Sequence, residues 1–142
     1  MKNKIAFDVH GVLDTHLREL KPMIRMLDIL GYEIHIISGP SKVQIMKRLK
    51  NFGYNEDNFF IYPSSRVHSV VNFLEEDGVK FEYKDGNPWT DEQTWWTSKA
   101  RICKSFDIDY LVDDSLQYKP AFELTKCEYI HIDELLWHKK VI

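Results

Sequence analysis

Two places in the sequence set a carboxylate directly behind three apolar residues: Ile5-Ala6-Phe7-Asp8, and Tyr110-Leu111-Val112-Asp113 with Asp114 adjoining. A short apolar run of this kind reads as a buried strand, because it is too short for a helical stripe. A carboxylate at the end of such a strand is costly to desolvate unless a cation compensates it. Mg²⁺ suits the position, since it is a hard cation that takes carboxylate, water and phosphate oxygens. A third strand-like run, Ile34-His35-Ile36-Ile37, ends in Ser38-Gly39, which sets a further polar residue at a strand end.

These residues need a scaffold that brings them to one edge. Between the first two runs, Met23, Met26, Leu27 and Leu30 recur at helical spacing, with Pro22 placed as a first helical residue and Gly31 as the stop. After Ser38-Gly39-Pro40, Ser41 is positioned to cap a helix carrying Ile45, Met46, Leu49 and Phe52, with Gly53 beyond it. Phe59-Phe60-Ile61-Tyr62 predicts a third strand and Val67 to Leu74 a helix ending near Gly78; Val79 to Tyr83 is a possible strand and Asn87-Pro88-Trp89 a turn. Tyr110 to Val112 and Tyr129 to Ile132 predict two further strands, with a helix around Pro120 to Thr125 between them. Alternating strands and helices imply a parallel sheet covered on both faces. In such sheets ligands gather at the carboxyl ends of the strands, which is where the polar residues above would lie.

With the residues in this order, the chain resembles the haloacid dehalogenase-like phosphohydrolase superfamily. Ile5-Ala6-Phe7-Asp8-Val9-His10-Gly11-Val12 is similar to the family's apolar run followed by Asp-x-Asp-Gly-Thr/Val. Ser38 after its strand, a lysine further on, and Leu111-Val112-Asp113-Asp114 correspond to the remaining motifs. The resemblance implies a single Rossmann-like α/β domain over 1–142, three layers around a central parallel sheet, with an insert at about 64–97 too small for a full cap. It also implies a Mg²⁺-dependent phosphatase working through an aspartyl-phosphate. Asp8 would be the nucleophile. Asp8, the backbone carbonyl of His10, Asp113 and Asp114 would hold Mg²⁺. Ser38, Gly39 and a lysine would bind the phosphoryl group. Lys99, in Ser98-Lys99-Ala100-Arg101-Ile102-Cys103 with Ser98 as a cap, is the preferred lysine, and Lys84, directly after the possible strand 79–83, is the rival.

His10 departs from the family pattern, which has a second aspartate there. An imidazole with an ordinary value of about 6.5 can give a proton to a leaving group and take one from water near neutral pH. The alternative is a catalytically weakened domain that binds phosphate without hydrolysing it. Trp89, Trp95 and Trp96 fit either a base-stacking platform or ordinary core and surface packing. Asp14 and His16 fit substrate contacts or turn positions, and His35 and His131, inside apolar strands, read as packing histidines. A capless site fits large substrates, such as nucleic-acid ends or proteins, or a pocket completed by another subunit; the double Asp of the last motif resembles the nucleotidase and polynucleotide-phosphatase branches of the superfamily, which implies a nucleotide or a nucleic-acid phosphate end as the partner.

Composition excludes several other classes. With 142 residues, 44% hydrophobic and 29% charged, the chain is neither disordered nor collagen-like, and is long enough for one core. Nineteen Lys and Arg against 22 Asp and Glu give a net charge of -3, so no global positive field gathers nucleic acid. Cys103 and Cys127 lack metal-finger spacing and are expected to be reduced. The Met1-Lys2-Asn3-Lys4 start runs straight into an apolar strand without the long apolar stretch of a signal sequence, and no run is long enough to span a membrane, so the expected location is cytoplasmic.

Overall fold

The computed structural model describes residues 3–54 and 64–141. Five parallel strands form the central sheet: β1 (Lys4–Phe7), β2 (Glu33–Ser38), β3 (Val67–Ser69), β6 (Tyr110–Asp113) and β7 (Glu128–His131), in the spatial order β3-β2-β1-β6-β7. A separate antiparallel hairpin joins β4 (Glu82–Lys84) to β5 (Asn87–Trp89). The helices are α1 (Leu17–Ile29), α2 (Lys42–Asn51), α3 (Val70–Glu76), α4 (Glu92–Ser105) and α5 (Ile132–Val141). The architecture is the expected α/β one, a Rossmann-like three-layer domain with a central parallel sheet.

Period-two alternation along the strands divides the core in two. Ile5, Phe7, Ile34, Ile36 and Val112 face α1, α2 and α5, where Leu20, Ile24, Ile45, Leu49 and Leu136 meet them. Ala6, Ile37 and Leu111 face the other way, toward Val70, Leu74, Ala100, Ile102 and Cys103 on α3 and α4. From β1 the chain proceeds outward through β2 and β3, then returns to the opposite side for β6 and β7. The junction of β1 and β6 is therefore the switch point, and the crevice outside their carboxyl ends is the natural ligand position.

Several local expectations need correction. Helix α1 begins at Leu17, so Pro22 lies inside it and not at its first residue. The 67–74 stretch is split: Val67–Ser69 pairs with β2 as an edge strand, and only from Val70 does the chain become helical, with the Ser69 hydroxyl accepting from the Asn72 amide. Asn87–Trp89 is a strand, and the turn is Asp85-Gly86, both at positive φ, as a tight hairpin requires. The helical stretch before β7 is a 3₁₀ segment at Leu116–Phe122, earlier than 120–125, and Ile132 already belongs to α5. The strand expected at Phe59–Tyr62 lies outside the described residues. Within 64–97, β3, α3 and the start of α4 belong to the main layers, which leaves the hairpin as the added piece.

Candidate active site

Asp8 follows β1 with extended backbone, and its amide donates to the Val112 carbonyl of β6 at 3.0 Å, so the two carboxylate-bearing strand ends are tied together. The loop beyond it closes through Leu13 N to the Asp8 carbonyl and Asp14 N to the Val9 carbonyl. Gly11 sits in this loop at φ 77°, and a Cβ there would collide with the Asp114 carboxylate. Glycine is thus required both by the backbone angle and by the close approach of the second acidic motif. Buried Tyr54 fixes the far end of the loop, its hydroxyl donating to the Leu13 carbonyl at 2.7 Å.

Lys99 is the lysine the structure brings to this edge. It lies in the middle of α4 and is 2% exposed, with its Nζ 2.6 Å from Asp113 Oδ2 and 3.4 Å from Asp8 Oδ1. Its ammonium also lies 4.4 Å from the Tyr118 ring centre, a cation–π position. The cap of α4 is Asp91, whose side chain accepts from the Thr94 amide, and the Ser98 hydroxyl instead donates to the Trp95 carbonyl within the helix. Lys84 is elsewhere, on the hairpin, with its ammonium over the Trp89 ring at 4.6 Å.

Asp113 and Asp114 are neighbours with different surroundings. Asp113 is 0% exposed, and both its oxygens are engaged: Oδ2 by Lys99, Oδ1 by the amides of Asp114 at 2.8 Å and Ser115 at 3.1 Å. Asp114 faces the cavity of about 370 Å³ that Asp8, His10, Ser38 and Lys99 also line. The His131 ring, accepting from the Asp133 amide through Nδ1, donates from Nε2 to the Asp114 carbonyl at 3.1 Å. His131 is therefore a brace for the acidic loop, which adds a purpose to the packing expected of it. Tyr129 braces the next residue, its hydroxyl donating to the Ser115 carbonyl at 2.6 Å.

Charge crowding shows in the protonation equilibria. Burial, opposed by Lys99 and reinforced by Asp113, pushes the Asp8 carboxyl up to about 6. Burial and Asp113 also raise Asp114. For Lys99, burial acts downward, but the Asp8 and Asp113 carboxylates outweigh it and hold the ammonium charged far beyond neutral pH.

Ser38 is buried at the end of β2 and lines the cavity with Asp8, whose carboxyl it helps to keep ionised. The loop after it is held by the β3–α3 junction: Val71 N donates to the Gly39 carbonyl, the Ser69 hydroxyl to the Pro40 carbonyl, and Lys42 N to Asn72 Oδ1. The start of α2 closes on itself as a capping box between Ser41 and Gln44. The amides of Ser41, Lys42 and Gln44 are consequently in use, so the anion-receiving groups left on this side are the Ser38–Gly39 turn and not the helix start as a whole.

The His10 side chain stands at the rim, 79% exposed, with Nδ1 3.4 Å from Asp14 Oδ2. Asp14 Oδ1 accepts from the Gly11 amide and the Thr15 hydroxyl, so Asp14 is a turn residue that also holds the imidazole. His35 is satisfied between His68 at 2.9 Å and Glu33 at 2.7 Å, away from the cavity. Trp96 packs edge-on against Tyr118, and Trp89 lies on the hairpin beneath Lys84.

The residue pattern did not single out Arg48 or Tyr118, both of which line the cavity. Arg48 is seven residues past the cap Ser41, two helical turns along the same face, and that spacing is a usable signal. Tyr118 has none, because its 3₁₀ segment carries no periodicity to read.

Asp8, Asp113 and Asp114 each offer an oxygen, and these lie within 4.8 Å of one another. Lys99 contacts two of these three carboxylates, and Arg48 is a second cation on the cavity wall; oxygen donors of this density fit a hard divalent cation. A phosphoryl group entering the same cavity would add negative charge, so anion binding and cation binding are linked here.

No protein-family model and no curated protein matches the chain. Among solved structures it is similar to "Structure of DsGPDH of Dunaliella salina" at 15% identity and a TM-score of 0.49, over 87% of this chain and 22% of that one. The chain thus spans about a fifth of that protein's length.

Proposed function

We propose that the chain is a Mg²⁺-dependent phosphohydrolase of the haloacid dehalogenase-like type, in which Asp8 attacks the phosphorus of a phosphate monoester. The observation that carries this reading is the convergence of Asp8, Lys99, Asp113, Asp114 and Ser38 at one sheet edge. Asp8 and Asp114, with the His10 carbonyl, would hold the cation, which offsets the charge brought together when a phosphate meets a carboxylate. Lys99, fixed by Asp113, supplies a permanent positive charge beside the nucleophile. Its other role is orientation: it engages Asp8 Oδ1, the oxygen that also accepts from the Val9 amide. Ser38 and Gly39 receive a phosphoryl oxygen. His10 at the rim gives a proton to the departing oxygen and then takes one from the water that releases phosphate from Asp8, with Asp14 orienting the ring. The expected substrate is a nucleotide or a nucleic-acid phosphate end, entering a site that no cap covers among the described residues.

Phosphate release from an aryl phosphate tests the reading: wild type should turn over with Mg²⁺ and stop with EDTA, and Asp8→Asn should be inactive while folded. Equal release by both chains would sink it. A second reading, a phosphate-binding domain without turnover, is favoured by the identity of residue 10, a histidine where the resemblance calls for a second aspartate. Under that reading wild type binds phosphate with Mg²⁺ and hydrolyses nothing.

A further inference from the structure

A cleft of about 890 Å³ opens beside the carboxylate cavity and shares Gly39, Pro40 and Arg48 with it. It is more than twice the size of that cavity, and a phosphoryl group bound at Asp8 and Ser38 would leave it empty. The remainder of a substrate held at that phosphate has this cleft to fill, and its size is in the ordinary range for ligand sites.

The walls differ in chemistry. One is the face of α2 that presents Gln44, Lys47 and Arg48, neighbours at helical spacing. Helix α2 carries Lys42, Lys47, Arg48 and Lys50 and no acidic residue. Lys47 and Arg48 form no ion pair with a carboxylate among the described residues. The opposite wall is Tyr83 and its hairpin neighbours, and the Trp95 indole lies so close to Gly39 that a Cβ there would stand 3.3 Å from it. Among the described residues that line the cleft, Glu75 alone is acidic. Gly39 thus joins the anion-receiving turn directly to an aromatic surface, and Arg48 joins the same cavity to a pair of cations.

From this juxtaposition we infer that the cleft is a leaving-group subsite for a nucleotide unit that carries a second phosphate, with its base against Trp95 and Tyr83 and that phosphate on Lys47 and Arg48. A planar ring answers the aromatic wall, amide-bearing Gln44 can meet a base edge, and a phosphate matches the forked guanidinium. A sugar phosphate would leave the aromatic wall unused, and a simple nucleoside monophosphate would leave the cations unanswered. Two sources present this chemistry, a free nucleoside 3′,5′-bisphosphate and the phosphorylated end of an oligonucleotide. The inference deepens the hydrolase reading and takes its phosphate-site placement from it.

Isothermal titration of Asp8→Asn with Mg²⁺, in which the cation is present and turnover is silent, separates the two. The probes are adenosine 3′,5′-bisphosphate, adenosine 5′-monophosphate, ribose 5-phosphate, a 5′-phosphorylated trinucleotide and a phosphotyrosyl peptide. The folded Asp8→Asn chain should bind the bisphosphate at least about tenfold tighter than the monophosphate, in keeping with charge-assisted contacts at Lys47 and Arg48. Lys47→Gln with Arg48→Gln, both on the exposed helix surface, should erase that preference. Trp95→Leu should weaken both adenosine ligands about tenfold and leave ribose 5-phosphate unchanged. Tighter binding of the trinucleotide than of the bisphosphate identifies a nucleic-acid end as the source, and the reverse a free nucleotide; either order supports the inference. No preference for the bisphosphate, or tighter binding of the phosphotyrosyl peptide than of any nucleotide, overturns it. That result leaves Mg²⁺-dependent hydrolysis of an aryl phosphate free to succeed, and nucleotide preference without hydrolysis would overturn only the hydrolase reading.

Discussion

Replacing Lys99 by Met removes the ammonium paired with two buried carboxylates, and the cost follows from the geometry. At an effective dielectric of about 20, unit charges at the observed 2.6 and 3.4 Å separations attract by about 6 and about 5 kcal/mol. Desolvation of the ammonium offsets much of this, and breaking one partner out of a buried ion pair costs about 3–5 kcal/mol net. For a chain of this size that lowers the melting temperature by about 10 °C or more. The loss should depend on pH in a defined sense. Without Lys99, the one charge that opposes burial at Asp8 is gone, so its folded-state value stands further above the unfolded one, the folded chain binds the extra proton and the penalty shrinks as pH falls from 8 to 5. Adding Asp113→Asn, which keeps an oxygen for the amides of Asp114 and Ser115, should recover a large part of the loss at pH 8. Urea unfolding of the three chains at both pH values, in EDTA, measures this. A loss below about 1 kcal/mol for Lys99→Met that is equal at pH 5 and pH 8 would refute the claim that the ammonium neutralises this pocket.

Two buried groups should make wild-type stability respond to pH in opposite directions over one window. Burial, with His35 and Lys42 adding, lowers His68 from 6.5 to about 4, so its contribution is whole above 6.5 and about 3 kcal/mol is lost as pH falls toward 4. Asp8, raised from 3.8 to about 6, contributes stability below 3.8 and loses about 3 kcal/mol as pH rises through 6. Urea midpoints in EDTA should therefore fall with acid in Asp8→Asn and rise with acid in His68→Gln; identical profiles in both variants would contradict these assignments. Gly11→Ala should cost at least about 1–2 kcal/mol from its left-handed backbone and should also weaken Mg²⁺ binding by displacing Asp114. Calorimetric Mg²⁺ titration showing wild-type affinity in that variant would contradict the placement of Asp114 at the cation.

The strands nearest the site were the most legible part of the sequence. Apart from His35, Ile5 to Phe7, Ile34 to Ile37 and Tyr110 to Val112 are apolar on both faces, as central parallel strands must be, and the polar residues that follow are Asp8 and Ser38, which line the cavity, and Asp113, which pairs with Lys99. Ser41 announced α2 through its capping chemistry. The edge was harder. Val67 to Val71 changes from strand to helix within five residues, a distance over which neither period can be read. The Asp85-Gly86 pair was the overlooked hairpin signal, and the proline in Asn87-Pro88-Trp89 drew the turn two residues too late. Helix α4 starts at Glu92, seven residues before Lys99, because the Asp91 side chain caps it through the Thr94 amide, and its polar first turn resembles a loop. That displacement is why Lys99 emerges as a fully buried mid-helix ammonium and not a helix-start lysine. The division of labour between Asp113 and Asp114 had no sequence signal, since it depends on which oxygens the next two amides and Lys99 occupy.

The central claim is that Asp8 takes the phosphoryl group. The direct measurement is acid quenching of wild type during turnover of an aryl phosphate with Mg²⁺, followed by borohydride reduction and peptide mass spectrometry. The account predicts that the peptide containing Asp8 carries the reduced residue, homoserine, that an acyl phosphate yields, and that Asp8→Asn shows none. Steady phosphate release with Asp8 unmodified at every quench time, under conditions that trap a control acyl phosphate, would contradict it.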